Sequence, residues 1–162
     1  MKLLLTAIVV FASVSTATAK LSVREVKIAI IQTCKEEGMS SHMMLAICER
    51  ESDFGLTLDK NLKGDHGHGH GYFQVDDRYH KAWLDTHNWR DPKVACRYAI
   101  KLLRANLKHF KGHWQRAVAA YNCGCGNVPK TGKNWDRKTT HKNYADDVFR
   151  RVRKFGGIVR KP

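Results

Sequence analysis

Apolar residues recur at three- and four-residue spacing along several segments, the spacing that places side chains on one face of an α-helix. The first helix is expected to begin after Ser22, which forms a capping box with Glu25, and to end near Gly38. The longest is expected to begin at Asp91-Pro92. The predicted inward positions are Val23, Val26, Ile30 and Thr33 in the first helix, and Cys96, Ile100, Leu103, Leu107 and Phe110 in the longest one.

Two further helices are predicted towards the carboxyl terminus. One runs from Trp114 to Tyr121 and ends at the Asn-Cys-Gly-Cys-Gly segment, and the other begins near Thr140 and stops at Gly156-Gly157. Residues 130–138 form a polar loop between them. The last helix is expected to turn its arginines outward and four residues inward: Tyr144, Val148, Val152 and Phe155.

A carboxylic acid interrupts the apolar face of another predicted helix, which Ser40 or Ser41 caps and which ends near Gly55. Glu51 occupies the fourth position of the spacing i, i+3, i+4 and i+7, whose other members are Met44, Ile47 and Cys48. Burial and the negative end of the helix dipole both disfavour the ionised carboxylate, so both raise its pKa. A raised pKa is what a general acid needs near neutral pH, although a carboxylate that merely ends an amphipathic helix has the same pattern.

The pattern changes between Gly55 and Asp91, where glycine, histidine and aspartate dominate. The alternating run of residues 67–75 predicts a glycine-rich turn that enters a short strand. The predicted fold class is therefore mainly α (α+β), a helical domain with a small β-hairpin or ribbon inserted after the Glu51 helix.

The first 19 residues have the composition of a signal peptide, with Lys2, an apolar run and a small-residue ending at Ala19. We therefore expect secretion of a single domain, Lys20–Pro162, without a membrane anchor. The formal net charge is +14, and it is densest at residues 150–154. Such a surface attracts anionic polymers such as nucleic acid, lipid or bacterial wall glycan, and charge alone does not select one of them.

Five cysteines remain after the predicted signal peptide, at positions 34, 48, 96, 123 and 125. In a secreted chain they are expected to form two disulfide bridges and to leave one free thiol, with the pairing open. A zinc site at Cys123-Gly-Cys125 is disfavoured because no second pair accompanies it.

Three carboxylates together suit the hydrolysis of a glycosidic bond. One acid must protonate the leaving oxygen, while another carboxylate activates water or stabilises the transition state. A helix end that faces a ribbon would place Glu51 across a cleft from Asp65 and Asp76. Each aspartate also has an ordinary explanation, since Asp65 can cap a turn and Asp76 can pair with Arg78 on the surface.

Four segments, in the same order and at similar separations, give the chain a resemblance to goose-type (g-type) lysozymes. They are Arg-Glu-Ser at 50–52, Gly-Asp-His-Gly-His-Gly-His-Gly-Tyr-Phe-Gln-Val-Asp at 64–76, Ala-Tyr-Asn-Cys-Gly-Cys-Gly-Asn-Val at 120–128, and Thr-Thr-His-Lys-Asn-Tyr-Ala-Asp-Asp-Val at 139–148. The resemblance implies a lysozyme-like, mainly helical fold that hydrolyses the β-1,4 bond between N-acetylmuramic acid and N-acetylglucosamine in peptidoglycan.

The resemblance also implies roles for individual residues. Glu51 would be the general acid, and Asp65 and Asp76 would position or deprotonate the attacking water in an inverting mechanism. No cofactor is implied, and the enzyme is expected to act as a monomer on peptidoglycan and anionic wall surfaces without inserting into a membrane. The matching positions that would line the sugar cleft are Gln74, His80, Tyr121, Asn122 and Tyr144.

The chain departs from the family pattern at Tyr72-Phe73 and at Cys123-Gly-Cys125. From the expected nearness of the Ala-Tyr-Asn segment to the Glu51 helix, we hypothesise a bridge from Cys48 to Cys123 or Cys125. His66, His68 and His70 would project to one side of an extended strand and could bind zinc or copper, although solvated or sugar-contacting histidines are favoured.

Two other functions fit the same residues. A lytic transglycosylase uses a comparable glutamate and lets a sugar hydroxyl attack, which leaves an anhydro product. A cationic antimicrobial or glycan-binding protein would need charge but no catalysis. Nucleic-acid binding is disfavoured because the basic residues form no recognised motif.

Overall fold

The computed structural model describes residues 20–131 and 140–158. Its α-helices are α1 (Val23–Glu37), α2 (Ser41–Ser52), α3 (Asp77–Thr86), α4 (Pro92–His109), α5 (Trp114–Cys123) and α6 (Thr140–Lys154). Its strands are β1 (Lys63–Gly64), β2 (Gly69–His70) and β3 (Val75–Asp76). The predicted fold class, mainly helical with a small β element after the Glu51 helix, is confirmed.

The first helix begins and ends where the capping residues predict. The Ser22 hydroxyl accepts a hydrogen bond from the backbone N–H of Glu25, and the Glu25 carboxylate accepts one from the backbone N–H of Ser22. Gly38 ends the helix in the left-handed conformation, at φ 61°. Val26, Ile30 and Thr33 are fully buried, as their spacing predicts.

The second helix is more deeply buried than a one-sided pattern predicts. Six consecutive residues, Met43–Cys48, are buried, so neighbouring elements surround the helix on every side. The helix ends at Ser52, and the next residue, Asp53, adopts a left-handed conformation at φ 46°. Since Glu51 is the second-last residue of α2, the carboxyl lies at the edge of this packed core.

The β element is a three-stranded antiparallel sheet in which each strand has two residues. Lys63 pairs with His70 and Gly64 with Gly69, while Gly69 also pairs with Asp76 and His70 with Val75. The buried Ser52 joins this sheet to α2, because its hydroxyl donates a 2.8 Å hydrogen bond to the carbonyl of Tyr72. The ribbon is therefore fixed against the end of the helix that carries Glu51.

Helix α3 was not predicted from the sequence. Only Leu84 is buried within it, so the segment lacks the apolar stripe that reveals the other helices. Local polar contacts stabilise it instead: the Asp76 carboxylate accepts from the backbone N–H of Arg78 at the start, and Lys81 pairs with Asp85 at 2.9 Å. Short capping and ion-pair signals of this kind are easily overlooked in a glycine- and histidine-rich region.

The three remaining predicted helices are present with nearly the predicted limits. The Asp91 side chain accepts from the backbone N–H of Lys93 and so caps α4, which packs against α1 and α5. Helix α6 packs against α2 and α5. The predicted inward residues are buried or half-buried: Cys96, Ile100, Leu103, Leu107, Phe110, Tyr144, Val148, Val152 and Phe155.

All five cysteines in the described residues are free thiols, so the two expected disulfide bridges are not found. The hypothesised bridge from Cys48 is also wrong for this structure. Cys48 is fully buried in the core, whereas the Cys123 thiol points back to the carbonyl of Ala119 and the Cys125 thiol to the side chain of Asn106.

Within the described ranges, no helix is long and apolar enough to cross a bilayer. The predicted signal peptide, residues 1–19, and most of the predicted polar loop at 130–138 lie outside the described residues.

The turn between β2 and β3 generates a prediction about Gly71. This residue has φ +70°, and a Cβ there would lie 2.8 Å from the backbone carbonyl oxygen of Trp89. Gly71→Ala should therefore lower the free energy of unfolding by about 1–3 kcal/mol, measured by urea denaturation. Gly126→Ala is the matched control, because a Cβ at that position meets nothing within 4 Å. Equal stability of the two variants would contradict the proposed strain.

Candidate active site

A cleft with a volume of about 820 Å³ opens between the end of α2, the ribbon, α3 and α5. Seven of the eight candidate site residues predicted from the sequence line it: Glu51, Asp65, Gln74, Asp76, His80, Tyr121 and Asn122. The eighth, Tyr144, contacts Glu51 directly. The fold thus brings together residues from four separate segments of the chain.

Glu51 has the electrostatic environment of a carboxylic acid rather than a carboxylate. Burial raises the pKa of its carboxyl from 4.5 to about 7, even though two neighbours act in the opposite direction. These are the hydroxyl of Tyr144, which donates a hydrogen bond to Oε1, and the positive charge of Arg50. A group with this pKa is protonated in a large fraction of molecules at neutral pH.

The packing of α6 on α2 places Tyr144 over Glu51. Ion pairs hold the two helices together on the side away from the cleft: Glu49 accepts from Arg151 at 2.7 Å and from Lys154 at 2.8 Å. Burial by itself would raise the pKa of Glu49, but these two hydrogen bonds outweigh it and the pKa is lowered. Glu49 and Glu51, two residues apart on one helix, therefore have pKa values that are shifted in opposite directions.

Arg78 brings Asp65 and Asp76 together across the ribbon. Its guanidinium donates to Asp76 through Nε at 2.9 Å and through a terminal nitrogen at 2.6 Å, and the same nitrogen donates to Asp65 at 2.8 Å. The hydrogen bond from Arg78 lowers the pKa of Asp76, against a smaller opposing effect of burial. The ion pair between Asp76 and Arg78 that the sequence suggests is therefore present. Arg78 also pairs with Asp65, so it joins the two candidate aspartates at the cleft.

Gln74 is held by the glycines that surround it. Its side-chain amide nitrogen donates a 2.9 Å hydrogen bond to the carbonyl of Gly71. A Cβ at Gly64 would lie 2.3 Å from Gln74 Oε1, and one at Gly69 would lie 2.2 Å from it. Both glycines therefore leave the space that this amide occupies beside the cleft.

The remaining sugar-cleft candidates differ in how firmly they are held. The Tyr121 hydroxyl donates a 3.1 Å hydrogen bond to the carbonyl of Phe73, which ties α5 to the ribbon. His80 Nδ1 lies 3.1 Å from the hydroxyl of Tyr98, and burial lowers the pKa of its imidazole. Asn122 lies on the exposed wall of the cleft.

The three histidines of the ribbon do not converge. His66 lies in a single 3₁₀ turn, Asp65–Gly67, rather than on an extended strand, whereas His70 lies on β2. His68 Nδ1 and His70 Nε2 lie 2.8 and 3.0 Å from the two carboxylate oxygens of Asp77. Among the residues that the structure describes, no group of three or more histidine, cysteine or acidic side chains is placed to hold a metal ion.

Sequence reasoning missed two residues that contribute to the cleft. The sequence pairs Arg78 only with Asp76, whereas its guanidinium donates hydrogen bonds to both Asp65 and Asp76. Tyr79 lines the cleft with 80% of its surface exposed. The only hint in the sequence is that this aromatic residue follows the charged run Asp76-Asp77-Arg78. That hint points to the cleft only once α3 is known to border it.

The family model described as "Lysozyme g" matches residues 4–156. The chain belongs to the lysozyme g family. A lysozyme g from Struthio camelus is 34% identical over 116 residues, which cover 68% of this chain and 55% of that protein. A lysozyme g from Gallus gallus is 34% identical over 119 residues, which cover 70% of this chain and 55% of that protein.

A lysozyme g from Cyprinus carpio is 32% identical over 136 residues, which cover 78% of this chain and 70% of that protein. The chain therefore spans about half the length of the two avian relatives and more of the fish protein. The matched region of this lysozyme g family member includes the whole described cleft.

The contact between Tyr144 and Glu51 leads to a prediction about proton affinity. The tyrosine hydroxyl donates to the ionised carboxylate and stabilises it, so Tyr144→Phe should raise the pKa of Glu51 from its value of about 7. The measurement is a ¹³C NMR titration of the glutamate carboxyl carbons. Tyr121→Phe is the matched control, because its hydroxyl donates to Phe73 instead. A lower pKa of Glu51 in Tyr144→Phe would refute the assignment.

Proposed function

We propose that this protein is a secreted muramidase, which hydrolyses the β-1,4 bond between N-acetylmuramic acid and N-acetylglucosamine in bacterial peptidoglycan. The observation that carries the proposal is that one cleft holds Glu51, whose pKa is raised to about 7, together with Asp65 and Asp76, which share the guanidinium of Arg78. Glycoside hydrolysis requires an acid that protonates the leaving oxygen and a second carboxyl group that handles the water. The carboxyl groups belong to one cleft on a lysozyme g family chain, which makes peptidoglycan the expected substrate.

Glu51 is proposed as the general acid that protonates the leaving glycosidic oxygen. The hydroxyl of Tyr144 occupies Oε1, so the proton that is transferred is proposed to lie on Oε2. Burial favours the neutral acid before the reaction, and the Tyr144 hydroxyl and Arg50 stabilise the carboxylate that remains after proton transfer.

The two aspartates are proposed to have different roles in the activation of the attacking water. Both oxygens of Asp76 accept hydrogen bonds from Arg78, whereas only Oδ2 of Asp65 does so among the described residues. Asp65 thus keeps an oxygen that can accept a proton from an attacking water molecule. We assign Asp65 as the general base of an inverting mechanism and Asp76 as the residue that fixes Arg78.

The sugar residues are proposed to lie along the cleft between the ribbon and α5. Amide and imidazole groups at Gln74, Asn122 and His80 offer hydrogen bonds to hydroxyl and N-acetyl groups, and Tyr121 forms a rigid wall. The exposed ring of Tyr79 can pack against the C–H face of a sugar. The basic surface is proposed to hold the enzyme, acting as a monomer and without a cofactor, on anionic walls after secretion.

Replacement of the proposed acid tests the enzymatic account. Glu51→Gln keeps the shape of the side chain and should reduce the lysis of peptidoglycan by at least about 100-fold, measured as loss of turbidity of wall suspensions. Unchanged lysis would favour a cationic antimicrobial protein that needs no catalysis. Mass spectrometry of the wild-type digest should give reducing ends, and products lighter by one water would identify a transglycosylase.

The proposed division between the aspartates makes a second kinetic prediction. Asp65→Asn should lower kcat by about 100-fold or more with little change in KM, because the base is lost. Asp76→Asn should alter both parameters, because Arg78 loses its principal partner. Equal effects of the two substitutions on kcat and KM would contradict the assignment of Asp65 as the base.

A further inference from the structure

We infer that Asp77 is a positioning residue, which fixes the turn that carries the proposed base Asp65. It does so together with His68 and His70, and we call these three residues the Asp77 cluster. The inference concerns the histidine-rich part of the ribbon, to which the proposed chemistry assigns no role. It deepens the proposed muramidase function and rests on it for the role of Asp65.

The turn that carries Asp65 has an unfavourable backbone. Asp65 and His66 are consecutive non-glycine residues in the left-handed region, at φ 47° and φ 54°. Even aspartate and histidine adopt this conformation infrequently, and it persists only where neighbouring contacts enforce it. Since 55% of the Asp65 side chain is exposed, packing against the core holds it only weakly. The contacts that keep this turn in place must therefore be polar ones.

The Asp77 carboxylate binds the end of the turn. Its two oxygens lie 2.8 Å from His68 Nδ1 and 3.0 Å from His70 Nε2. These hydrogen bonds lower the pKa of Asp77, so the group is an ionised acceptor at neutral pH and each imidazole donates to it. The backbone N–H of Asp77 also donates to the carbonyl of His68, at 3.1 Å. His68 in turn closes the turn, because its backbone N–H donates to the carbonyl of Asp65 at 3.0 Å.

His70 joins the Asp77 cluster to the core. It is buried on β2, and its ring meets the buried Trp89 edge to face, with centroids 4.9 Å apart. Among the described residues, Nδ1 of His70 is buried without a hydrogen-bond partner, whereas Nε2 is paired with Asp77. Loss of the Asp77 carboxylate would leave both nitrogens of a buried ring unpaired, which is unfavourable. The carboxylate thus connects an exposed turn to a residue that the core holds.

Arg78 holds the beginning of the same turn. It follows Asp77 in the first turn of α3, and its guanidinium donates to Asp65 at 2.8 Å. The start of α3 is therefore attached to the turn at Asp65 and again at His68. Two attachments restrict both the position and the rotation of the turn, and a base must be held within about 0.5 Å of its productive geometry.

Kinetics tests the positioning role. Asp77→Ala should lower kcat on soluble peptidoglycan fragments by about tenfold and change KM by less than about twofold, because the base is displaced while the proposed sugar contacts on other segments stay in place. Asp85→Ala is the matched control, since it removes the same charge from the same helix but breaks an exposed pair with Lys81. This control should have the kcat and KM of the wild type.

Amide hydrogen exchange measures the turn without an activity assay. In Asp77→Ala, the backbone amide of His68 should exchange at least about tenfold faster than in the wild type, measured by NMR, while the amide of Ile30 in the core keeps its rate. His68→Ala changes an exposed side chain and is the second variant in case Asp77→Ala does not fold. The amide at position 68 should again exchange faster, and kcat should fall by about threefold.

Unchanged exchange at position 68 would overturn the inference, and so would faster exchange with the kcat of the wild type. Equal effects of Asp77→Ala and Asp85→Ala would overturn it in favour of a general loss of negative charge. A rise in KM without a fall in kcat would overturn it in favour of a direct contact with the substrate. Failure of the proposed muramidase function is seen separately, in the lysis assay of Glu51→Gln, and the exchange rates alone then decide whether Asp77 fixes the turn.

Discussion

The burial of the Glu51 carboxyl is the constraint on which the cleft depends. An ionised carboxylate is costly to desolvate, so burial raises the pKa of Glu51, while the hydroxyl of Tyr144 on α6 donates a hydrogen bond that opposes this shift. The ion pairs of Glu49 with Arg151 and Lys154 bind the same two helices on their far side. Ion pairs and apolar packing thus both join the helix that carries Glu51 to the helix that carries Tyr144.

The electrostatic arrangement of the ribbon differs from that of Glu51, because two aspartates share one cation there. Asp65 and Asp76 both pair with the guanidinium of Arg78, which lies between their carboxyl groups and offsets their mutual repulsion. Arg78 belongs to the first turn of α3, and the same turn supplies Asp77, whose carboxylate is bound by His68 and His70. Helix α3 is therefore less a part of the core than a support that fixes the charges of the ribbon.

The sequence predicted what depends on periodic burial and missed what depends on contacts between segments. Helices α1, α4, α5 and α6 were found because apolar spacing and capping residues such as Ser22 and Asp91 are local signals. Helix α3 buries only Leu84, so periodicity did not reveal it. The acid at Glu51 was recognised from its position on an apolar face, but its partner Tyr144 is 93 residues away and was assigned to the cleft only through resemblance. The role of Arg78 towards both aspartates needs the sheet register, which no local pattern contains.

The fit of Gln74 against Gly64 and Gly69 bears on how this segment can vary among related chains. The histidines give the ribbon its unusual composition, and His66 lies exposed on a turn with its backbone in the left-handed region, at φ 54°. The side-chain amide of Gln74 fills the space that a Cβ at position 64 or 69 would need. A larger residue at either position therefore requires a shorter one at position 74. Positions 64, 69 and 74 should therefore change together or remain fixed, while position 66 is restricted only by its own backbone conformation.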